Sequence, residues 1–174
     1  MTLQEAAAAA DALAQAGSER ELADLRATWG DDLEAAARSA DFRERAVAFR
    51  AIGQFRWRQK QELLRRGLDD QSPAARGSAL LSLELLSRDH PSTVNSVRSL
   101  LHNLAAVDGN AAVRRLAIVC LRNGSAQRET IVLLEGLAED DEAEPELRQA
   151  AAKVAQTLRR KPLQQKQQKQ QKKK

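Results

Sequence analysis

A chain of 174 residues is long enough to bury a core, and with aromatics at 3% and no tyrosine that core must be aliphatic. Ala, Leu, Glu and Arg dominate while runs of Val, Ile and Thr are missing, which argues against a sheet-based fold and for an all-α one. The single cysteine, Cys120, excludes an internal disulfide, and no stretch approaches the ~18 uninterrupted apolar residues of a membrane span.

The net charge of +4 is unevenly spread. Eight basic residues and no acid lie between Arg159 and Lys174, and the remainder holds 20 basic against 24 acidic residues. Residues 1–42 carry nine acids against three arginines, whereas residues 43–66 carry eight Arg or Lys against Glu44 and Glu62. The opening "MTLQEAAAAADALAQAG" has acids where a signal peptide needs positive charge. Together with the lone cysteine, this leads us to expect a cytoplasmic protein.

In chain order, residues 3–16 and about 19–38 read as two helices with acidic faces, suited to an N-terminal cap over residues 1–40. "DFRERAVAFRAIGQF" follows as a helix, then a basic helix containing Leu63 and Leu64. In "DDQSPAARGSALLSLELL", Asp70 and Ser72 can cap a helix and Pro73 suits its first turn, where a missing N–H costs nothing. Ala75, Ala79, Leu80, Leu83 and Leu86 then follow helical spacing. Pro91 ends this element, and "STVNSVRSLLHNLAAV" reads as one helix with Val94, Val97, Leu100, Leu101 and Leu104 on one face.

The pattern returns. Asp108 stands six residues before Arg114 as Asp70 stands six before Arg76, and Glu142 stands six before Arg148 with Pro145 matching Pro73. Three residues after each arginine comes an alanine: Ala79, Ala117 and Ala151. Leucine pairs recur at Leu63-Leu64, Leu100-Leu101 and Leu133-Leu134. Paired helices with an internal period in the thirties mark a solenoid, and acid and arginine at fixed spacing are expected to pair across the turn or between repeats.

On "SPAARGSALLSLELL" and "NAAVRRLAIVCL", the sequence resembles HEAT repeats, in particular the short HEAT-like repeats also found in phycobilisome lyase-type proteins. The resemblance covers roughly residues 40–160. Its first unit is degenerate, with Arg43 or Arg45 in the arginine position and no acid six before Arg43. It implies a right-handed α-solenoid of stacked antiparallel helix pairs, about four repeats over residues 41–161, preceded by the capping helices. Residues 162–174, rich in Lys and Gln, read as a disordered tail.

Reactive groups are sparse. His90 falls in a loop and His102 on a helix face, neither beside cysteines or regularly spaced carboxylates, so no metal site or cofactor is expected. Cys120 sits in the apolar "LAIVCL" and reads as a small core residue. The acidic run at residues 139–146 lacks the ligand spacing and central glycine of a calcium loop and reads as a helix cap. No phosphate loop or serine elbow is present, so the reading is non-catalytic.

The basic "RAIGQFRWRQKQELLRR" holds Arg50, Arg56, Arg58, Lys60, Arg65 and Arg66 around Phe55 and Trp57. Cations beside aromatics can contact phosphates and stack on bases, or bind an acidic protein surface. Equally, the aromatics can fill an interhelical turn while the charges are merely solvated. The resemblance places second helices along a solenoid's concave side. Candidate partner-binding residues are therefore Arg56, Arg58, Gln61, Arg65, Arg66, Asn95, Arg98, His102, Arg128 and Glu135. The expected function is a protein-protein interaction scaffold or adaptor. The alternatives are a nucleic-acid-binding HEAT protein using residues 50–66 and the basic tail, or a HEAT-like enzyme such as a chromophore lyase or DNA glycosylase.

Overall fold

A computed structural model of the chain describes residues 1–164; residues 165–174 of the expected tail lie outside the described residues. The described part is helical throughout: α1 (Leu3–Gln15), α2 (Glu19–Ala37), α3 (Phe42–Gln54), α4 (Gln61–Leu68), α5 (Pro73–Ser87), α6 (Ser92–Asn95), α7 (Arg98–Val107), α8 (Ala111–Leu121), α9 (Arg128–Ala138) and α10 (Pro145–Arg159). A short 3₁₀ turn, Arg58–Lys60, leads into α4. No strand occurs among the described residues, and none of these helices is long and apolar enough to cross a membrane.

Helices pack on their neighbours in two rows. One row runs α1, α3, α5, α8, α10, each against the next. In the other row, α2, α4, α7 and α9 pack onto α3, α5, α8 and α10 respectively. The alanines at the repeated spacing, Ala79, Ala117 and Ala151, are fully buried, and so is Ala48, three residues after Arg45. A small side chain there lets successive first-row helices approach. The closest approach is at Gly53 on α3, where a Cβ would stand 2.7 Å from the Cα of Ser82 on α5. Only hydrogen fits, and Ser82 Oγ accepts the Gly53 N–H there at 2.9 Å.

The turns follow a single design. Ser39, Asp70 and Asp108 each accept the N–H of the residue two further on, at 2.8–3.1 Å. That residue (Asp41, Ser72 or Asn110) is the N-cap of α3, α5 or α8 and accepts an N–H of its helix's first turn. Six residues after each turn acceptor stands an arginine. Arg45 donates to the carbonyls of Ser39 and Ala40 and reaches forward to chelate Asp70 through Nε and Nη2 at 2.8 and 2.9 Å. Arg76 donates to the carbonyls of Asp70 and Gln71 and pairs with Asp108, Nη2 at 3.0 Å from one oxygen and Nε at 2.8 Å from the other. Arg45 and Arg76 thus each fasten their own turn to the next. Arg45, not Arg43, occupies the position in the first unit, and Ser39 stands in for the acid.

Two elements differ from the sequence expectation. The helix expected over residues 92–107 is split: Val97 adopts φ −119° and ψ 17°, leaving one turn, α6, before α7. Polar demands override helical continuity here, because Asn95 at the end of α6 accepts from both Arg98 and the Ser125 N–H. The last turn is longer than its counterparts. Asp140, not Glu142, accepts the N–H two residues on, and Glu144 precedes α10 without a side-chain cap. Arg148 therefore approaches Asp141 only at 3.9 Å, and Arg114 donates to the Ala105 carbonyl instead of an acid.

Leu101 is fully buried on α7, so Leu101→Asp is expected to cost several kcal/mol and to unfold the array in thermal melts. Asp108 is almost fully buried and holds both Arg76 and the Asn110 N–H. Asp108→Ala should lose about 1–3 kcal/mol by urea denaturation while leaving the helical circular-dichroism signal of the remaining folded protein unchanged.

Candidate interaction surface

The candidate partner-binding residues separate into those consumed by the fold and those left on its surface. Arg56 belongs to the first group. It ends α3 in the left-handed region (φ 51°), and its guanidinium pairs with Asp11 of α1 at 2.7 Å and donates to Gly53 and Gln54 carbonyls. Arg26 of α2 in turn donates to the Phe55 and Arg56 carbonyls, closing the end of α3. Arg56 is thus a clamp between α1, α2 and α3, away from the second-row face.

The neighbouring aromatics are also structural. Phe55 is fully buried, with its ring 6.0 Å from that of Trp57. Trp57 is half-buried and packs so closely on α2 that a Cβ at Gly30 would lie 3.0 Å from its ring. Lys60 lies 4.9 Å over the Trp57 ring and pairs with Glu34. Of the readings open for this segment, inward aromatics is the one observed, and Phe55 presents no face for base stacking.

Six more candidates tie one element of the fold to another, Asn95 among them by accepting the Ser125 N–H. Arg58 donates to His90 Nδ1 at 2.5 Å, and Gln61 of α4 donates to Ser96 beside α6. Arg98, expected on the surface, is buried: Nη1 donates to Thr130 of α9, and Nη2 to Asn95 and to Ser125 in the α8–α9 turn. Burial lowers its pKa from the ordinary arginine value. His102, also expected to be exposed, is half-buried with Nε2 2.9 Å from the same Thr130 hydroxyl. Glu135 pairs with Arg159, joining α9 to α10.

That leaves Arg65 and Arg66 at the end of α4 and Arg128 at the start of α9. All three are exposed and form no ion pair or hydrogen bond among the described residues. Glu62 and Glu129 are the exposed acids on those two helices' leading turns. Between them, residues 92–107 carry no acid at all. Exposed Ser99 and Asn103 make up the outer side of α7.

The chain returns to this surface after α10. Lys161 Nζ donates to the Arg122 carbonyl at 2.7 Å and to Gly124 at 3.2 Å. Leu163 forms an isolated parallel bridge with Ala126, whose carbonyl accepts the Gln164 N–H at 2.9 Å, and Ser125 Oγ donates to the Gln164 side chain. The expected tail thus begins as a docked segment, because the turn after α8 offers carbonyls no helix uses. Gln164 then borders a cavity of about 460 Å³ with Gln127, Arg128, Glu129 and Val132.

The remaining reactive candidates have ordinary roles. Cys120 is fully buried, its thiol donates to the Leu80 carbonyl, and burial pushes its pKa far up, so no thiolate forms near neutrality. Asp140 and Glu142 of the acidic run form a turn. No protein-family model matches the chain and no curated protein is similar to it, so geometry alone carries the functional reading.

His102 supplies a pH test. Burial first, and then the Arg98 charge, lowers its pKa below the ordinary 6.5. The folded protein therefore favours neutral imidazole, and the unfolded chain binds the proton more readily. This contribution is fully present above about pH 6.5 and is lost as pH falls toward the lower folded-state value. Urea midpoints should accordingly fall as the pH drops below about 6.5, and those of His102→Asn should fall less steeply. Parallel pH profiles would show that His102 contributes nothing.

Proposed function

We propose that the protein is a non-catalytic scaffold or adaptor, a right-handed HEAT-like solenoid of about four repeats working in the cytoplasm. It binds another protein across the exposed side of α4, α6, α7 and α9. Three features support the fold reading: neighbour-to-neighbour packing in two rows, one turn design used three times, and forward pairing of Arg45 and Arg76. One observation carries the functional reading. Consecutive second-row elements are joined side by side through Gln61–Ser96, Arg98–Thr130 and His102–Thr130. Such stitches hold a polar surface several helices wide in a fixed shape, which suits recognition of a folded or extended protein.

The nucleic-acid alternative receives less support, because Phe55 is inside and Trp57 is packed on α2. An enzyme-like role would need convergent reactive groups, whereas Cys120 lies in the core and His102 is engaged with Thr130.

Asn103 is exposed near the middle of the proposed surface, and Asn103→Trp should obstruct it without touching the core. In affinity capture from nuclease-treated lysate, a stoichiometric protein partner should be retained by the parent protein and lost by this variant at unchanged melting temperature. Retention of that partner would move the binding site to another face.

A further inference from the structure

The first row of helices holds one arginine that the fold does not use. Arg45 and Arg76 are spent on aspartates, Arg56 on Asp11, and Arg43 lies over the Phe42 ring. The side chain of Arg50 on α3 makes no ion pair or hydrogen bond among the described residues, although its Nη1 is enclosed. An enclosed donor left without an acceptor is costly to bury, which marks Arg50 for a partner outside the fold.

Arg50 lines a cleft of about 260 Å³ with Gln4 of α1, Gln54 of α3 and Ser78 of α5, beside Ala46 and Val47. The side chains of Gln4, Gln54 and Ser78 are likewise unbonded among the described residues. The cleft therefore offers one cation, two amides and a hydroxyl, and no carboxylate lines it. The acids of the three contributing helices are engaged or set apart. Glu5 of α1 returns to Thr2, and Asp11 is held by Arg56 and Gln15. Glu84 of α5 is held by Arg88 and Arg122. Glu44 of α3 lies six residues from Arg50, about 9 Å of helix rise, and lines an adjoining groove with Asp32 and Arg43.

That groove, about 750 Å³, shares Gln4 and Val47 with the cleft and is lined by Leu3, Ala35 and Ala36. Its hydroxyls are already taken, Thr2 by Glu5 and Ser39 by the Asp41 N–H. Apolar surface thus adjoins a polar, carboxylate-free cleft. Along the groove itself Asp32 and Glu44 outnumber Arg43, so a second negative charge is disfavoured there.

We propose that cleft and groove together bind a small aliphatic monocarboxylate, its carboxylate on Arg50 and its alkyl chain running past Val47 toward Leu3, Ala35 and Ala36. A planar guanidinium matches a carboxylate through two parallel N–H···O bonds, and the amides of Gln4 and Gln54 and the Ser78 hydroxyl supply further donors. An apolar wall with a few convergent polar groups is the usual form of a small-ligand site. A peptide C-terminus shares the carboxylate, but its backbone amides would find few free partners along the groove. No residue of α4, α6, α7 or α9 lines the site, so this inference stands apart from the scaffold reading.

Isothermal titration calorimetry of the full chain with octanoate tests this, with octanamide, acetate and octanedioate as controls. Octanoate should bind at least about tenfold tighter than octanamide, which lacks the charge, and than acetate, which lacks the chain. Octanedioate should bind more weakly than octanoate. Arg50→Gln should lower octanoate affinity about tenfold at an unchanged melting temperature, because the Arg50 side chain bonds to nothing in the fold, and Arg50→Lys should fall between. Ala35 is exposed, so Ala35→Glu should obstruct the groove without disturbing the core and weaken octanoate but not acetate. Equal affinity for octanoate and octanamide, or full octanoate affinity in folded Arg50→Gln, would overturn the site. Indifference of octanoate to Ala35→Glu would overturn the placement of its chain. Tighter binding of a leucine-terminated hexapeptide with a free carboxylate would overturn the small-molecule assignment.

Discussion

The arginine that joins one turn to the next is the constraint on which the architecture depends. Helices packed neighbour to neighbour have little packing between distant members to fix their relative angle, so each junction must set its own geometry. Arg45 and Arg76 do so with a planar fork. One edge satisfies two carbonyls of the arginine's own turn, and the other grips the aspartate of the following turn. The gripped aspartate also holds the N–H of its N-cap residue, so helix start, turn and junction share a single carboxylate. Arg45 holds the carboxyl of Asp70 below the usual aspartate pKa through those same hydrogen bonds, keeping it ionised under all ordinary conditions.

Much of this was legible in the sequence because its spacing is local. An acid, an N-cap two residues later, an arginine six residues later and an alanine three beyond that all lie within one turn and one helix. Their order therefore appears directly in "DDQSPAARGSA". The leucine pairs were legible for the same reason. What escaped was controlled by residues distant in sequence. The break after α6 follows from Asn95 meeting Ser125, 30 residues away, and nothing within "STVNSVRSLL" announces that demand. The lengthened last turn was also hidden, because Glu142 satisfies the six-residue spacing while Asp140 does the hydrogen bonding.

The surface candidates divide along the same line. Helical position alone marked Arg98 and His102 as outward, since charged side chains on second helices usually are. Their burial depends on Thr130, a hydroxyl on the next helix able to receive an arginine and meet a histidine nitrogen together. Arg56 was grouped with Arg58, Arg65 and Arg66 by charge, yet its backbone turns left-handed at the end of α3 and directs it to Asp11, 45 residues earlier. Charge density in sequence therefore overstated the free basic surface, and the structure reduces it to a few positions with a clear arrangement.

That reduction bears on how such a surface can discriminate. A dense, uniform basic patch attracts any polyanion, because its contribution is set by charge number and salt. Here most of the candidate cations are fastened to the fold, and Arg65, Arg66 and Arg128 are those left exposed. The inter-helix stitches matter for the same reason. By holding α4, α7 and α9 at fixed offsets they prevent the surface from adapting to a wrong ligand, so the entropy of ordering is met during folding and not again at binding.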